Sequence, residues 1–284
     1  MTRLQLFPVL AYINGRYVPD DHPALPPNDR SFLYGDGLFE TIRITNGQPF
    51  LWREHLERLR RGAGFLKIPL ATNTAEFEAA VRHLLAQNDC PEGVVRIHLS
   101  RGPSERGYSI KSATNPTLSI TTHRSIHATS AGLKLITSTI RVLADDPLTQ
   151  HKTANRLPNI LARQQADEAG ADEALILNHR GEIAEASAAN IFCVREKVLL
   201  TPPLSAGAVA GTTREFLLRI APQLNLAPRE SVLNIADLRA ADAVFLTSAH
   251  WLATAAVALD GISLRQSPEI VARLRRACEE AIAS

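Results

Sequence analysis

Lysine is scarce in this 284-residue chain, and its scarcity isolates the first candidate for chemistry. Five lysines, Lys67, Lys111, Lys134, Lys152 and Lys197, stand against 26 arginines. Lys67 precedes Pro69, Lys111 and Lys197 sit in polar loops or turns, and Lys134 opens a strand. Lys152 differs. It lies where a strand-like segment passes into a helix-like one, within Thr149-Gln150-His151-Lys152-Thr153-Ala154-Asn155-Arg156-Leu157. A junction of that kind can aim an amine at a cleft, where it can attack a carbonyl and carry protons. The plainer reading is a solvated lysine.

Four further groups have residue types suited to chemistry. Gly211-Thr212-Thr213-Arg214 precedes a helix, and N–H groups at a helix start with neighbouring hydroxyls form a phosphate cup. The same residues also make an ordinary threonine cap. Thr247-Ser248 ends an apolar strand and offers more hydroxyls. Glu182-Ile183-Ala184-Glu185-Ala186-Ser187-Ala188-Ala189-Asn190 sets carboxylates among small residues, which permits close approach to a flat ring or simply makes an exposed turn. Arg96, Arg101 and Arg106 supply guanidinium forks that suit carboxylates, or surface salt bridges. Together, an amine, a phosphate cup, an acidic ring partner and spare carboxylate binders are the parts of a pyridoxal phosphate enzyme.

These residues need a scaffold, and the periodicity supplies one. Leu4–Ile13 reads as a strand, as does Leu38–Ile44, and Asn46-Gly47 turns the latter into a second strand over Pro49–Trp52. A helix is expected from Glu54 to Gly64. Asn73 and Glu76 form a capping box ahead of a helix with Phe77, Val81, Leu84 and Leu85 on one face. Val94–Ser100 alternates, with Val95, Ile97 and Leu99 on one side and Arg96, His98 and Ser100 on the other. Thr117–Thr122 closes this half. The small and polar stretch 123–132 reads as a linker, giving an N-terminal domain over 1–122 and a C-terminal domain over 133–284 that carries Lys152. In the second half, strands are expected at Leu133–Val142, Glu173–Leu177, Glu182–Ala184, Ile191–Val194, Val198–Leu200 and Ala243–Thr247. Helices are expected at Leu157–Ala169 with Gly170 as its stop, Thr213–Ile220, Ile235–Arg239 and Pro268–Ile282. Mixed strands and helices in both halves predict an α+β two-domain fold.

Composition narrows the partners. Lys plus Arg total 31 and Asp plus Glu 29, a formal charge of +2, which argues against nucleic acid and other polyanions. Three widely spaced cysteines, Cys90, Cys193 and Cys278, suggest neither disulfides nor a metal site and fit a cytoplasmic setting. The N-terminal stretch shows no signal-peptide pattern. No segment reaches the ~20 apolar residues that span a membrane.

The ordered markers resemble the class IV pyridoxal phosphate enzymes over nearly the whole chain. They are Tyr12-Ile13-Asn14-Gly15, Asp29-Arg30 with Tyr34-Gly35-Asp36-Gly37-Leu38-Phe39-Glu40-Thr41, and His55-Leu56-Glu57-Arg58. His151-Lys152 through Leu157, Glu185 through Phe192, Gly211-Thr212-Thr213-Arg214 and Phe245-Leu246-Thr247-Ser248 complete the set. The family includes branched-chain and D-amino acid aminotransferases and 4-amino-4-deoxychorismate lyases. The resemblance implies two α+β domains with pyridoxal 5'-phosphate between them, in a homodimer. It implies Lys152 as the Schiff-base lysine, Glu185 at the ring nitrogen, and Arg58, Thr212, Thr213 and Ser248 at the phosphate. Arg58 taken alone looks like a helix-surface arginine.

Within the family, Ser100-Arg101-Gly102 through Arg106-Gly107-Tyr108-Ser109 is most similar to the lyases. In that branch the positions of Arg96 and Arg106 meet the substrate carboxylates. Leu157 stands where branched-chain aminotransferases tend to carry tyrosine. Phe39 and Tyr108 stand where D-amino acid aminotransferases tend to carry tyrosine and histidine. The implied reaction converts 4-amino-4-deoxychorismate to 4-aminobenzoate and pyruvate, a step of folate biosynthesis. The alternative is a transaminase for D-amino acids, branched-chain amino acids or amines.

Overall fold

The computed structural model describes residues 9–22, 25–70, 73–124 and 132–283. These fall into two compact units. The first lies within Met1–Ile126 and includes Lys152–Asn155; the second comprises His127–His151 and Arg156–Ser284.

The first unit contains β1 (Leu10–Ile13), β2 (Arg16–Pro19), α1 (Arg30–Tyr34), β3 (Gly37–Thr45), β4 (Gln48–Pro49), α2 (Trp52–Leu66), α3 (Thr74–Gln87), β5 (Gly93–Ser100) and β6 (Thr117–Arg124). Its antiparallel sheet runs β2-β1-β6-β5-β3-β4. The alternation of β3 and β5 sends Leu38, Ile42, Ile44, Val95, Ile97 and Leu99 into a core with Leu56 and Leu59 of α2 and Phe77, Val81 and Leu84 of α3. Phe39, Thr41, Arg96 and His98 therefore belong to the opposite face. The Asn73–Glu76 capping box forms as expected.

The second unit contains β7 (Leu133–Val142), α4 (Leu157–Glu168), β8 (Glu173–Asn178), β9 (Ile183–Ala186), β10 (Asn190–Arg195), β11 (Val198–Thr201), α5 (Thr212–Ile220), β12 (Ala227–Glu230), α6 (Ile235–Ala240), β13 (Ala243–Ser248), β14 (Leu252–Leu259), β15 (Ile262–Ser263) and α7 (Pro268–Ala283). Its mixed sheet runs β12-β11-β10-β13-β14-β7-β8-β9, with β15 beside β14. Every residue of β8 is buried, and all of β10 but Arg195. Strands covered on both faces show apolar runs in place of alternation.

The structure departs from the sequence reading in several places. The strand expected over Pro49–Trp52 is only Gln48–Pro49, because Leu51 takes a left-handed conformation (φ 51°) and α2 begins at Trp52. That helix start has no side-chain cap, so no capping signal marked it. Of the strand expected over Leu4–Ile13, Leu10–Ile13 forms, and residues 4–8 lie outside the described residues. Of the linker at 123–132, His123 and Arg124 belong to β6, and residues 125–131 lie outside the described residues. The sequence reading puts Lys152 in the C-terminal domain, yet Lys152–Asn155 groups with the first unit. The cause is backbone pairing with β3. Phe39 N–H donates to Lys152 O at 3.0 Å and Ala154 N–H to Gly37 O at 2.8 Å, and Leu38 and Thr153 form an antiparallel bridge.

Candidate active site

That bridge delivers Lys152 to Phe39 on the sheet face opposite the helices. Lys152 Nζ lies 4.6 Å from the Phe39 ring centroid. The Arg96 guanidinium carbon lies 3.5 Å from the same centroid, and Arg96 Nη1 donates to Thr41 Oγ1 at 3.0 Å. The register explains the meeting, since Thr41 pairs with Arg96 and Phe39 with His98. One aromatic ring thus stands beside two cations, and its negative face is attractive to each. His98 Nε2 lies 2.8 Å from Ser31 Oγ, and burial together with the nearby Arg96 charge holds its pKa below the usual histidine value.

Glu40 points the other way, toward α2. Arg58 Nε donates to its Oε1 at 2.8 Å and Arg58 Nη2 to its Oε2 at 2.5 Å, while His55 Nδ1 lies 2.6 Å from Oε2. Glu40 is 1% exposed and Arg58 6%. Burial pushes the Glu40 pKa up, but the Arg58 charge and its hydrogen bonds outweigh that and hold it at about 2. Burial keeps His55 below its usual value despite Glu40. Arg58 is therefore no surface arginine. Its partner lies 18 residues away on a strand, beyond what helix periodicity reveals.

Arg101 is a brace. Its Nε and Nη2 donate to the two Asp36 oxygens at 2.7 and 3.0 Å, and its guanidinium also reaches Lys67 O and Leu66 O at 3.2 and 2.8 Å. Although burial pushes the Asp36 pKa up, hydrogen bonds from Arg101 and Arg30 take it below the usual carboxylate range. Arg106 is exposed, on a loop of irregular backbone.

In the second unit, Glu185 lies on β9. Its Oε2 accepts Val209 N–H at 2.9 Å and Asn190 Nδ2 at 3.4 Å, and Asn190 Nδ2 also donates to Val209 O at 2.9 Å. A Cβ at Gly211 would collide with Asn190 Oδ1, so glycine there permits the close approach of the α5 start. Thr212 and Thr213 open α5 and are buried. Asn190 pairs in register with Thr247. The Thr213 and Thr247 hydroxyls are buried without a hydrogen-bond partner among the described residues. Buried polar groups rarely stay unpaired. Ser248 Oγ is half-buried and accepts Trp251 N–H at 3.1 Å. Asn190, Glu40 and Thr247 lie within the sequence motifs, but what Asn190 and Glu40 bond to, and that the Thr247 hydroxyl is orphaned among the described residues, is visible only in the folded chain.

The model of the family described as "Amino-transferase class IV" matches residues 37–259, and the chain belongs to that family. A D-alanine aminotransferase of Staphylococcus aureus is 31% identical over 256 residues, covering 88% of this chain and 89% of that protein. Among solved structures, a 4-amino-4-deoxychorismate lyase from Pseudomonas aeruginosa matches with a TM-score of 0.84 at 28% identity, over 95% of this chain and 98% of that one. A branched-chain amino acid aminotransferase (T.th.) with pyridoxamine 5'-phosphate matches with a TM-score of 0.89 at 25% identity, over 98% of this chain and 95% of that one.

The fold is therefore that of the fold type IV pyridoxal phosphate enzymes, and the protein is an enzyme of that cofactor-dependent class. The residues present fit the cofactor. Orphaned buried hydroxyls at the start of α5 and on β13 suit phosphate oxygens. A buried carboxylate held by a backbone N–H suits a protonated ring nitrogen.

Proposed function

We propose that the protein is a 4-amino-4-deoxychorismate lyase, releasing 4-aminobenzoate and pyruvate. The observation that carries this reading is the juxtaposition of Arg96 and Lys152 around Phe39. It sets a fixed cation, suited to a substrate carboxylate, beside the amine that would do the proton chemistry. When bound, pyridoxal phosphate supplies an electron sink for the carbon that bears the substrate nitrogen.

The chain's own residues have separable tasks. In the first unit, Lys152 would hold the cofactor through its amine until the substrate amine takes that place; the freed amine would then take the proton from that carbon and return one to the departing enolpyruvyl group, which leaves as pyruvate. Formation of the aromatic ring drives the departure. Arg96 and Arg106 bind the two substrate carboxylates. Arg58, oriented by Glu40, binds phosphate. In the second unit, Glu185 keeps the ring nitrogen protonated, and Thr212, Thr213 and Ser248 hold phosphate at a helix start. The near-neutral overall charge suits a small-molecule substrate. The reading includes a homodimer; Phe32 and Tyr108 are exposed in the first unit. Folate biosynthesis in the cytoplasm completes the reading. Among the described residues no helix is long and apolar enough to cross a membrane.

The deciding experiment supplies 4-amino-4-deoxychorismate to the purified holoenzyme and assays 4-aminobenzoate and pyruvate together; equal yields are expected. A second reading, a transaminase, draws on the similarity to the D-alanine aminotransferase. Rapid keto acid formation from D-alanine or branched-chain amino acids, with no 4-aminobenzoate from the first substrate, would establish it instead.

A further inference from the structure

We infer that Arg30 is a positioning residue for substrate selection. It holds the backbone of the loop that carries Arg106, and the inference rests on the reading of Arg106 as a carboxylate binder. Arg30 is the first residue of α1 and is 3% exposed. Its Nε donates to Asp36 Oδ2 at 2.7 Å, and Asp36 is anchored in turn by Arg101. The far edge of the guanidinium faces the loop. Nη1 donates to Gly107 O at 2.9 Å, Ser109 O at 3.2 Å and Ser104 Oγ at 3.3 Å, and Nη2 donates to Tyr108 O at 3.4 Å.

Three successive carbonyls thus converge on one guanidinium. The loop has no strand or helix of its own to pair them, so its path depends on Arg30. Tyr34 adds a second hold. Its hydroxyl oxygen accepts Gly107 N–H at 3.2 Å, and its ring meets that of Tyr108 edge-on at 5.7 Å. Gly107 has a φ of 107°, a conformation glycine tolerates, which lets the chain turn its carbonyl inward directly after Arg106. Arg106 itself stays exposed. The planar fork of arginine can serve Asp36 on one edge and the loop on the other; an ammonium group has no such geometry.

The test uses the holoenzyme and 4-amino-4-deoxychorismate, with Arg30→Lys, Arg106→Ala and the double variant compared. Arg30→Lys is expected to raise KM about tenfold while changing kcat by less than about threefold. Arg106→Ala is expected to raise KM similarly. In the double variant KM should rise no further than in the worse single variant, because both changes remove one function. An unchanged KM in Arg30→Lys, or effects that multiply in the double variant, would overturn the inference. Tyr34→Phe removes one acceptor and leaves the guanidinium in place. It should raise KM about twofold to threefold, and an unchanged KM there also counts against the inference. If Arg106→Ala leaves KM unchanged, the carboxylate reading fails first and takes this inference with it.

Discussion

Glu40 and Arg58 face each other through two hydrogen bonds, Nε to Oε1 at 2.8 Å and Nη2 to Oε2 at 2.5 Å, with both side chains buried. The pair orients the guanidinium through the protein itself. Glu40→Gln would leave the Arg58 charge buried without its counter-ion. Breaking a buried pair on one side costs about 3–5 kcal/mol, so the variant should unfold at clearly lower urea concentration. A midpoint equal to wild type would show that the pair contributes little.

The same carboxylate sets an acid limit. The pKa of Glu40 falls from 4.5 unfolded to about 2 folded, so the folded state binds its proton less readily. Its contribution is present above about pH 4.5 and is lost as pH falls toward 2. Asp36, also lowered, acts in the same direction. The stability advantage of wild type over Glu40→Gln should therefore shrink between pH 5 and pH 2, measured as melting temperature across a pH series.

Glu173 has the opposite sign. It is fully buried, accepts Ala174 N–H and the Ser187 hydroxyl through Oε1, and leaves Oε2 without a partner among the described residues. Burial raises its pKa. Its contribution is complete below the ordinary carboxylate pKa and declines as pH rises through the folded value. Glu173→Gln cannot ionise. Relative to wild type it should gain stability as pH rises above the ordinary carboxylate pKa, and a difference that stays constant with rising pH would contradict the assignment.

Gly211→Ala tests the packing behind Glu185. The φ of Gly211 is −72°, so the backbone accepts alanine, and the cost comes from collision with Asn190 Oδ1. Overpacking of this kind costs about 1–3 kcal/mol. Asn190→Ala removes the obstructing oxygen and should cost less in the Gly211→Ala background than in wild type. Denaturant unfolding of the four proteins completes the cycle.

Lys152→Ala should abolish turnover and the visible absorbance of a lysine-linked cofactor. Its side chain is only half-buried, so the melting temperature of the cofactor-free protein should stay near wild type. A fully active alanine variant would remove Lys152 from the mechanism.

The class of this protein and most of its elements can be read from residue order alone. Residue type and short spacing are local properties. The Asn73–Glu76 box, the alternation of Val94–Ser100 and the singular setting of Lys152 could all be read without a partner in view. What those residues touch is set by the packing of the folded chain. Strand register places Thr41 beside Arg96. A backbone bridge ties Lys152–Asn155 to β3, so the lysine groups with the first unit and not with the second. Arg58 finds Glu40, and Arg30 reaches Gly107, 77 residues along the chain. Hydrogen bonds over such separations depend on sheet order and loop path. Periodicity is a nearest-turn signal and contains neither.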